Sequence, residues 1–181
     1  MKDWRLLAIK KGSNLMKKRV FDKVTQISVV VDDLYAYMKR YNDVYGIGPW
    51  IVLHFDKQNT NDMIIKGQKK NFDIKLALCG CLNIQWELIQ PLDENGTYAE
   101  FLKTHGPGIH HVCLQPAEGY RKFREFLAAR GFGETLIGGT DAGGMEFSYV
   151  DLTEDLGFIA ELMNPPKDFV PPPPEDVYPK S

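Results

Sequence analysis

Apolar and polar positions change period several times along the chain, and each change marks a predicted element. Residues 24–31 are β-branched and largely apolar, which predicts a strand. Asp32 or Asp33 is placed to cap a helix on which Leu34, Tyr37, Met38, Tyr41 and Tyr45 form one stripe, and Gly46 and Gly48 stop it. Residues 50–55 predict a second strand, and the polar stretch 56–70 a loop or irregular hairpin. From Phe72 the chain alternates through Ile74, Leu76 and Leu78, the mark of a half-buried strand. Gly80 is the expected turn, and residues 82–89 predict a fourth strand. On it Ile84, Trp86 and Leu88 share one face and Gln85 and Glu87 the other.

The order β-α-β-β-β then returns. A connector over 93–107 carries a short helix through Tyr98, Phe101 and Leu102. A strand at 108–114 precedes a helix at 119–130 striped by Tyr120, Phe123, Phe126 and Leu127. Strands are predicted at 132–137, 145–150 and 158–163, with Gly138-Gly139 and Gly143-Gly144 bracketing a turn. The repetition is visible in the residues. Thr25-Gln26-Ile27-Ser28-Val29 and the glycines after its helix recur 85 positions later at His110-His111-Val112-Cys113-Leu114 and Arg130-Gly131-Phe132-Gly133. Trp86-Glu87-Leu88-Ile89-Gln90-Pro91 recurs 74 positions later as Ala160-Glu161-Leu162-Met163-Asn164-Pro165.

The chain therefore divides into a basic extension (1–23), a first module (24–92), the connector (93–107), a second module (108–165) and a tail (166–181). The fold class is α+β: two tandem β-α-β-β-β modules forming a curved mixed sheet around a shared concave surface. From Pro165 onward, 7 of 17 residues are proline, so the tail is expected to be extended, unable to continue a sheet, and either free or docked on a neighbouring subunit.

Composition changes this picture little. Hydrophobic residues make up 44% and charged residues 25%, as in an ordinary globular protein. A net charge of −2 gives no field to draw nucleic acid or an anionic membrane, although residues 1–23 hold eight Lys/Arg against two Asp. Cys79, Cys81 and Cys113 are too few for a disulfide framework and are expected to be reduced thiols in a cytoplasmic protein. No apolar run approaches the roughly 18 residues that span a bilayer, and a signal peptide is not expected.

The duplication places ligand-type side chains at equivalent positions: Gln26 with His111, and Glu87 with Glu161. Together they offer three oxygen donors and one nitrogen, suited to a divalent ion such as Zn, Co, Ni, Mn or Mg. Singly, each has a plainer explanation as a solvent-facing or hydrogen-bonded strand residue. Carboxylates set between Trp86 and Leu88, and between Ala160 and Leu162, are costly to bury without partners.

The segments 24–30, 86–92, 108–112 and 157–162 resemble the vicinal oxygen chelate superfamily, which includes glyoxalase I, methylmalonyl-CoA epimerase, bleomycin-resistance proteins and extradiol dioxygenases. The resemblance covers roughly residues 24–165 and is nearest to the epimerase branch. It implies a glyoxalase-like fold, a metal held by Gln26, Glu87, His111 (rather than His110) and Glu161, no organic cofactor, and a homodimer. It also implies catalysis by Glu161 with Glu87 as its counterpart: abstraction of a proton next to a metal-bound carbonyl of an acyl thioester, of the acyl-CoA or glutathione class. Two departures stand out. Gln26 occupies a place where the epimerases carry histidine, which resembles the lactoylglutathione lyase (glyoxalase I) pattern. The stretch that carries a second glutamate base in epimerases offers only Asp73 and Lys75 here. The alternatives are accordingly a glyoxalase I-like lyase or a non-catalytic binding protein of the bleomycin-resistance type. An extradiol dioxygenase wants two histidines and a carboxylate on iron, and Gln26 takes one of those histidine places. Trp50, His54, Lys75 and His105 are candidate pocket residues, and Lys66, Lys69 and Lys70 candidate contacts for a CoA phosphate.

Overall fold

A computed structural model describes residues 19–94, 96–132 and 136–180; most of the basic extension, residues 1–18, lies outside them. The elements run β1 (Phe21–Val30), α1 (Leu34–Tyr45), β2 (Trp50–Phe55), β3 (Thr60–Ile65), β4 (Gln68–Lys69), β5 (Ile74–Cys81) and β6 (Ile84–Pro91). There follow α2 (Thr97–His105), β7 (Gly108–Pro116), α3 (Tyr120–Ala128), β8 (Ile137–Asp141), β9 (Glu146–Leu152), α4 (Thr153–Leu156), β10 (Phe158–Asn164) and β11 (Asp176–Tyr178).

The described strands form one 11-stranded mixed sheet, ordered β11-β2-β5-β6-β1-β7-β10-β9-β8-β3-β4. Its centre is the antiparallel pair β1 and β7, flanked by the parallel neighbours β6 and β10. The two β-α-β-β-β units are thus joined through their first strands. The sheet is strongly curved but does not close. Four residues, 56–59, connect β2 to β3, although eight strand spacings separate these strands in the sheet. Laid flat, those spacings would be about 38 Å, whereas five extended residue steps reach about 18 Å. The strand order is compatible with the connection only if the sheet curls and brings its two ends together.

Alternation assigns the two faces. On the convex side α1 packs Leu34 and Met38 on Trp50, Val52 and Leu88. Its counterpart α3 packs Phe123 and Leu127 on Val150, Ala160 and Leu162. The concave side collects Val30, Leu53, Ile74, Leu76, Ile89, Tyr98, Ile137 and Tyr149. Both faces of the central strands are therefore covered, which is why Glu87 and Glu161, inward between outward apolar neighbours, are buried.

The structure sharpens some local expectations and corrects others. The Asp33 side chain, not that of Asp32, caps α1 by accepting from the Ala36 N–H, and left-handed Gly46 (φ 66°) ends the helix. Gly80 lies within β5; the chain turns at Leu82 and Asn83, both with positive φ. Gly138 and Gly139 belong to β8, which begins where the predicted strand at 132–137 was to end, and residues 133–135 lie outside the described set. The Met63 sulfur would sit 2.2 Å from a Cβ at position 139, so the flatness of Gly139 admits β3 against β8. The polar stretch 56–70 holds β3 and β4, which extend the far edge of the other module. The proline-rich tail does enter the sheet: β11 pairs with β2, matching Asp176 to Val52 and Tyr178 to Trp50.

Trp50 is fully buried, meets Tyr41 edge to face at 5.8 Å and donates its Nε1–H to the Ile47 carbonyl. Trp50→Ala is expected to destabilise the chain by about 3–5 kcal/mol, measured as a lowered denaturation midpoint with little change in slope.

Candidate metal centre

Four adjacent strands, β6, β1, β7 and β10, bring the candidate ligands together in two rows. One row pairs Glu87 with Ser28, Ser28 with His111 and His111 with Ile159. The next pairs Gln85 with Gln26, Gln26 with Cys113 and Cys113 with Glu161. Neighbouring rows lie two residues apart along each strand, so all of these side chains share the concave face.

His111 Nε2 lies 3.4 Å from a Glu87 oxygen and 3.3 Å from a Glu161 oxygen. One ligand atom from each residue can be chosen so that all three lie within 4.8 Å of one another, and all three residues are buried. Gln26 is buried with them and donates its Nε2–H to Gln85 Oε1 at 2.7 Å, leaving its own Oε1 without a partner. His111 Nε2 and Glu161 Oε2 likewise lack a hydrogen bond, because their mutual contact is off the hydrogen-bond direction. Three orphaned buried polar atoms on two neighbouring rows of one face are a costly arrangement for a chain on its own. A divalent ion, accepting lone pairs from all of them, fits that arrangement, and Glu87, His111 and Glu161 could hold it with Gln26.

The surroundings prepare these groups. The Ser28 hydroxyl, fully buried, donates to the Glu87 carboxylate. The register between β1 and β7 slips between Ser28 and Val29, which pair with His111 and Ile109. His110 is therefore the extra residue of a bulge, so its ring turns toward its neighbour's instead of to the opposite face. His110 Nδ1 lies 3.0 Å from His111 Nδ1. Burial, reinforced by the charge of His111, pushes the His110 pKa down to about 3, so its Nδ1 is free to accept a proton. That contact holds the His111 proton on Nδ1 and turns Nε2 toward the carboxylates. Burial also disfavours charge on His111, but Glu161 and Glu87 outweigh it and raise its pKa to about 9. Burial raises the pKa of Glu161, against the opposing pull of His111.

The Tyr149 ring lies against that of His111, tilted by 38° with 4.4 Å between ring centres, and the Tyr98 hydroxyl donates to the Tyr149 hydroxyl at 2.8 Å. Both tyrosines, with Gln26, Glu87 and Glu161, line a cavity of about 370 Å³ whose remaining wall is mainly apolar and holds no Lys or Arg among the described residues.

Strand parity was sufficient to point to Ser28 and Gln85, two positions from Gln26 and Glu87; the His110 bulge and the tyrosine pair carry no local signal. Of the pocket candidates, Trp50 packs on the convex face and His105 stacks on Phe101 in α2. His54 pairs with Asp73 at 2.7 Å, Lys75 with Glu175, and Lys66 with Glu100. Lys69 and Lys70 are exposed. The positions of β5 on the cavity wall are Ile74, Leu76 and Leu78, so neither Asp73 nor Lys75 supplies a base there.

Two outcomes follow from these geometries. His111 must lose its Nε2 proton to bind a cation, so affinity for a divalent ion should rise with pH until about pH 9 and then level. Calorimetry in buffers of different ionisation enthalpy should show proton release on binding at pH 7 that vanishes above pH 10. Ser28→Ala should weaken the ion by roughly 10–100-fold, read by competition with a chromogenic chelator.

Comparison with known proteins adds a second line. A search of curated proteins finds no match. Among solved structures, methylmalonyl-CoA epimerase from Mycobacterium tuberculosis aligns with a TM-score of 0.60 at 21% identity, over 84% of this chain and 93% of that one. A Streptomyces coelicolor methylmalonyl-CoA epimerase variant in complex with 2-nitronate-propionyl-CoA gives 0.59 at 16% identity, over 83% and 99%. A hypothetical protein from Bacillus halodurans gives 0.58 at 16%, over 82% and 98%. At such identities these likenesses establish the fold. The sequence model of the Glyoxalase/Bleomycin resistance protein/Dioxygenase superfamily matches residues 25–149, more than half of the chain. With its curved, two-module sheet and buried His/Glu cluster, the chain belongs to this superfamily.

Proposed function

We propose that the chain is a metal-dependent isomerase or epimerase that removes a proton next to a carbonyl of an acyl thioester, in the manner of methylmalonyl-CoA epimerases. The observation that carries this reading is the buried cluster of Glu87, His111 and Glu161, in which His111 and Glu161 atoms lack hydrogen bonds, with the unsatisfied Gln26 oxygen on the same face of the sheet. A divalent ion, when bound there, supplies Lewis acidity that stabilises negative charge developing on substrate oxygens.

The two carboxylates are not equivalent. Glu87 is held by the Ser28 hydroxyl, whereas Glu161 Oε2 has no hydrogen bond and burial raises the pKa of its carboxyl. A carboxylate whose pKa moves toward the working pH is the better general base. Glu161 is therefore assigned proton removal, and Glu87, with an oxygen 3.4 Å from His111 Nε2, its return. The Tyr98-to-Tyr149 hydrogen bond leaves the Tyr149 proton available to a substrate oxygen. A cavity of about 370 Å³ is near the lower end of small-molecule sites. It takes the acyl end of a thioester and leaves the carrier outside. The coenzyme A ligand of the Streptomyces coelicolor neighbour supports the acyl-CoA class.

A second reading is favoured by one observation. The inner face of β5 presents Ile74, Leu76 and Leu78 and no carboxylate, so proton return depends on a metal-site glutamate. Return to the adjacent carbon, as in a lactoylglutathione lyase, suits this set, as does the Gln26 amide. A binding protein without catalysis would have no need of the complete ligand quartet.

Proton–deuterium exchange at C2 of methylmalonyl-CoA tests the reading. The metal-loaded protein should exchange and epimerise, and Glu161→Gln should lower exchange by about 10²-fold or more. Absence of exchange, together with turnover of the methylglyoxal–glutathione hemithioacetal, would select the lyase. Absence of both reactions, in protein that takes up no metal, would favour the binding protein.

A further inference from the structure

The proline-rich tail crosses the mouth of the metal cavity. After β10 the chain turns, with the Phe169 N–H donating to the Pro166 carbonyl, and lays Phe169 on the β8–β9 turn. A Cβ at Gly143 would meet the Phe169 ring at 2.9 Å and the Val170 carbonyl at 3.2 Å, so only a glycine there admits so close an approach. Phe169, Pro171 and Pro172 then form part of the wall of the cavity that holds Gln26, Glu87 and Glu161. Beyond them the chain is fastened to the opposite module. The Glu175 N–H donates to the Val52 carbonyl, β11 pairs with β2, Lys75 binds Glu175 at 2.8 Å, and the Tyr35 hydroxyl donates to Asp176 at 2.7 Å.

We infer that this strap is a substrate-contacting wall: Phe169, Pro171 and Pro172 enclose an apolar, uncharged substituent of a ligand chelated by two oxygens, and thereby select for it. The inference rests on the metal-centre reading for the chelating end. The apolar end rests on independent facts. Ile74, Leu76, Met145, Phe147 and Met163 share the cavity with the strap, and no Lys or Arg among the described residues lines it to receive a second anionic group. Prolines suit the position chemically. They carry no N–H to leave unsatisfied at an apolar surface, and their extended helix loses little entropy when held across a gap.

The test uses full-length protein loaded with Co²⁺ and titrated with acetohydroxamate and benzohydroxamate, read by visible absorption of the cobalt. Enclosure of the phenyl group should make benzohydroxamate bind about 10-fold more tightly or better. Phe169→Ala should cut that preference to within about 3-fold while cobalt stoichiometry and acetohydroxamate affinity hold. Gly143→Ala, which displaces the ring without touching the cavity, should move it in the same direction. An unchanged preference in both variants overturns the inference. If cobalt does not bind, the metal-centre reading falls, and a second measurement still decides the strap. In metal-free protein, benzyl alcohol should shift the methyl NMR signals of Met145 and Met163 saturably, with affinity at least several-fold weaker in Phe169→Ala. Equal affinity in the two proteins overturns the inference there too.

Discussion

Two carboxylates held against one imidazole at the bottom of a curled sheet are the constraint from which the other features of this protein follow. Charges removed from water need compensation of comparable size, and an unpaired buried carboxylate would instead take up a proton. Without a cation, the proton on His111 provides part of that compensation, which is why its pKa rises to about 9 despite complete burial. A divalent ion bound there would replace that proton by a larger charge at the same place. The protonated site compensates its two carboxylates in part and an ion would compensate them in full, so the pH dependence of metal binding would measure the exchange between the two states.

The duplication explains how the chain reaches this arrangement from ordinary strand geometry. Each module contributes its first and last strand to the centre of the sheet, and the antiparallel pairing of β1 with β7 sets four inward side chains on two neighbouring rows. The symmetry is then broken where chemistry requires it. One module offers an amide and the other an imidazole; Glu87 accepts from Ser28 and Glu161 Oε2 has no hydrogen bond. The bulge at His110 is a further departure, a slip in register that lets two adjacent rings meet.

Much of this was legible before the structure, and what was not shares one physical cause. Periodicity placed β2 at its observed limits and put Glu87 opposite to Trp86 and Leu88, and the internal repeat tied Gln26 to His111 and Glu87 to Glu161. These signals are local, or repeat at a fixed spacing. Gly80 looked like a turn because glycine favours turns, yet tertiary pairing carried β5 through it and the non-glycine Leu82 and Asn83 accepted the left-handed conformation. Gly138 and Gly139 belong to a strand for the same reason, and at Gly139 the lack of a side chain serves the approach of β3. The crossing of β3 to β8 joins residues 72 to 81 positions apart, and the docking of β11 on β2 residues 124 to 128 apart, and neither leaves a periodic trace.

The apolar face of β5 and the tail bear on each other. Where a second base might stand, the chain has Ile74, Leu76 and Leu78, and opposite them it lays Phe169 and two prolines. Both choices remove polar groups and water from the cavity, which strengthens every electrostatic interaction left inside it. Under the proposed reading, proton transfer by Glu161 and Glu87 would gain from that apolar lining, because the charge that develops on the substrate would interact more strongly with the groups around it. Stereochemical outcome would then depend less on the number of bases than on how tightly the enclosed substituent is held. In that reading the strap and the ligand set would act on the same step, one by fixing the carbon that is deprotonated and the other by stabilising the charge left behind.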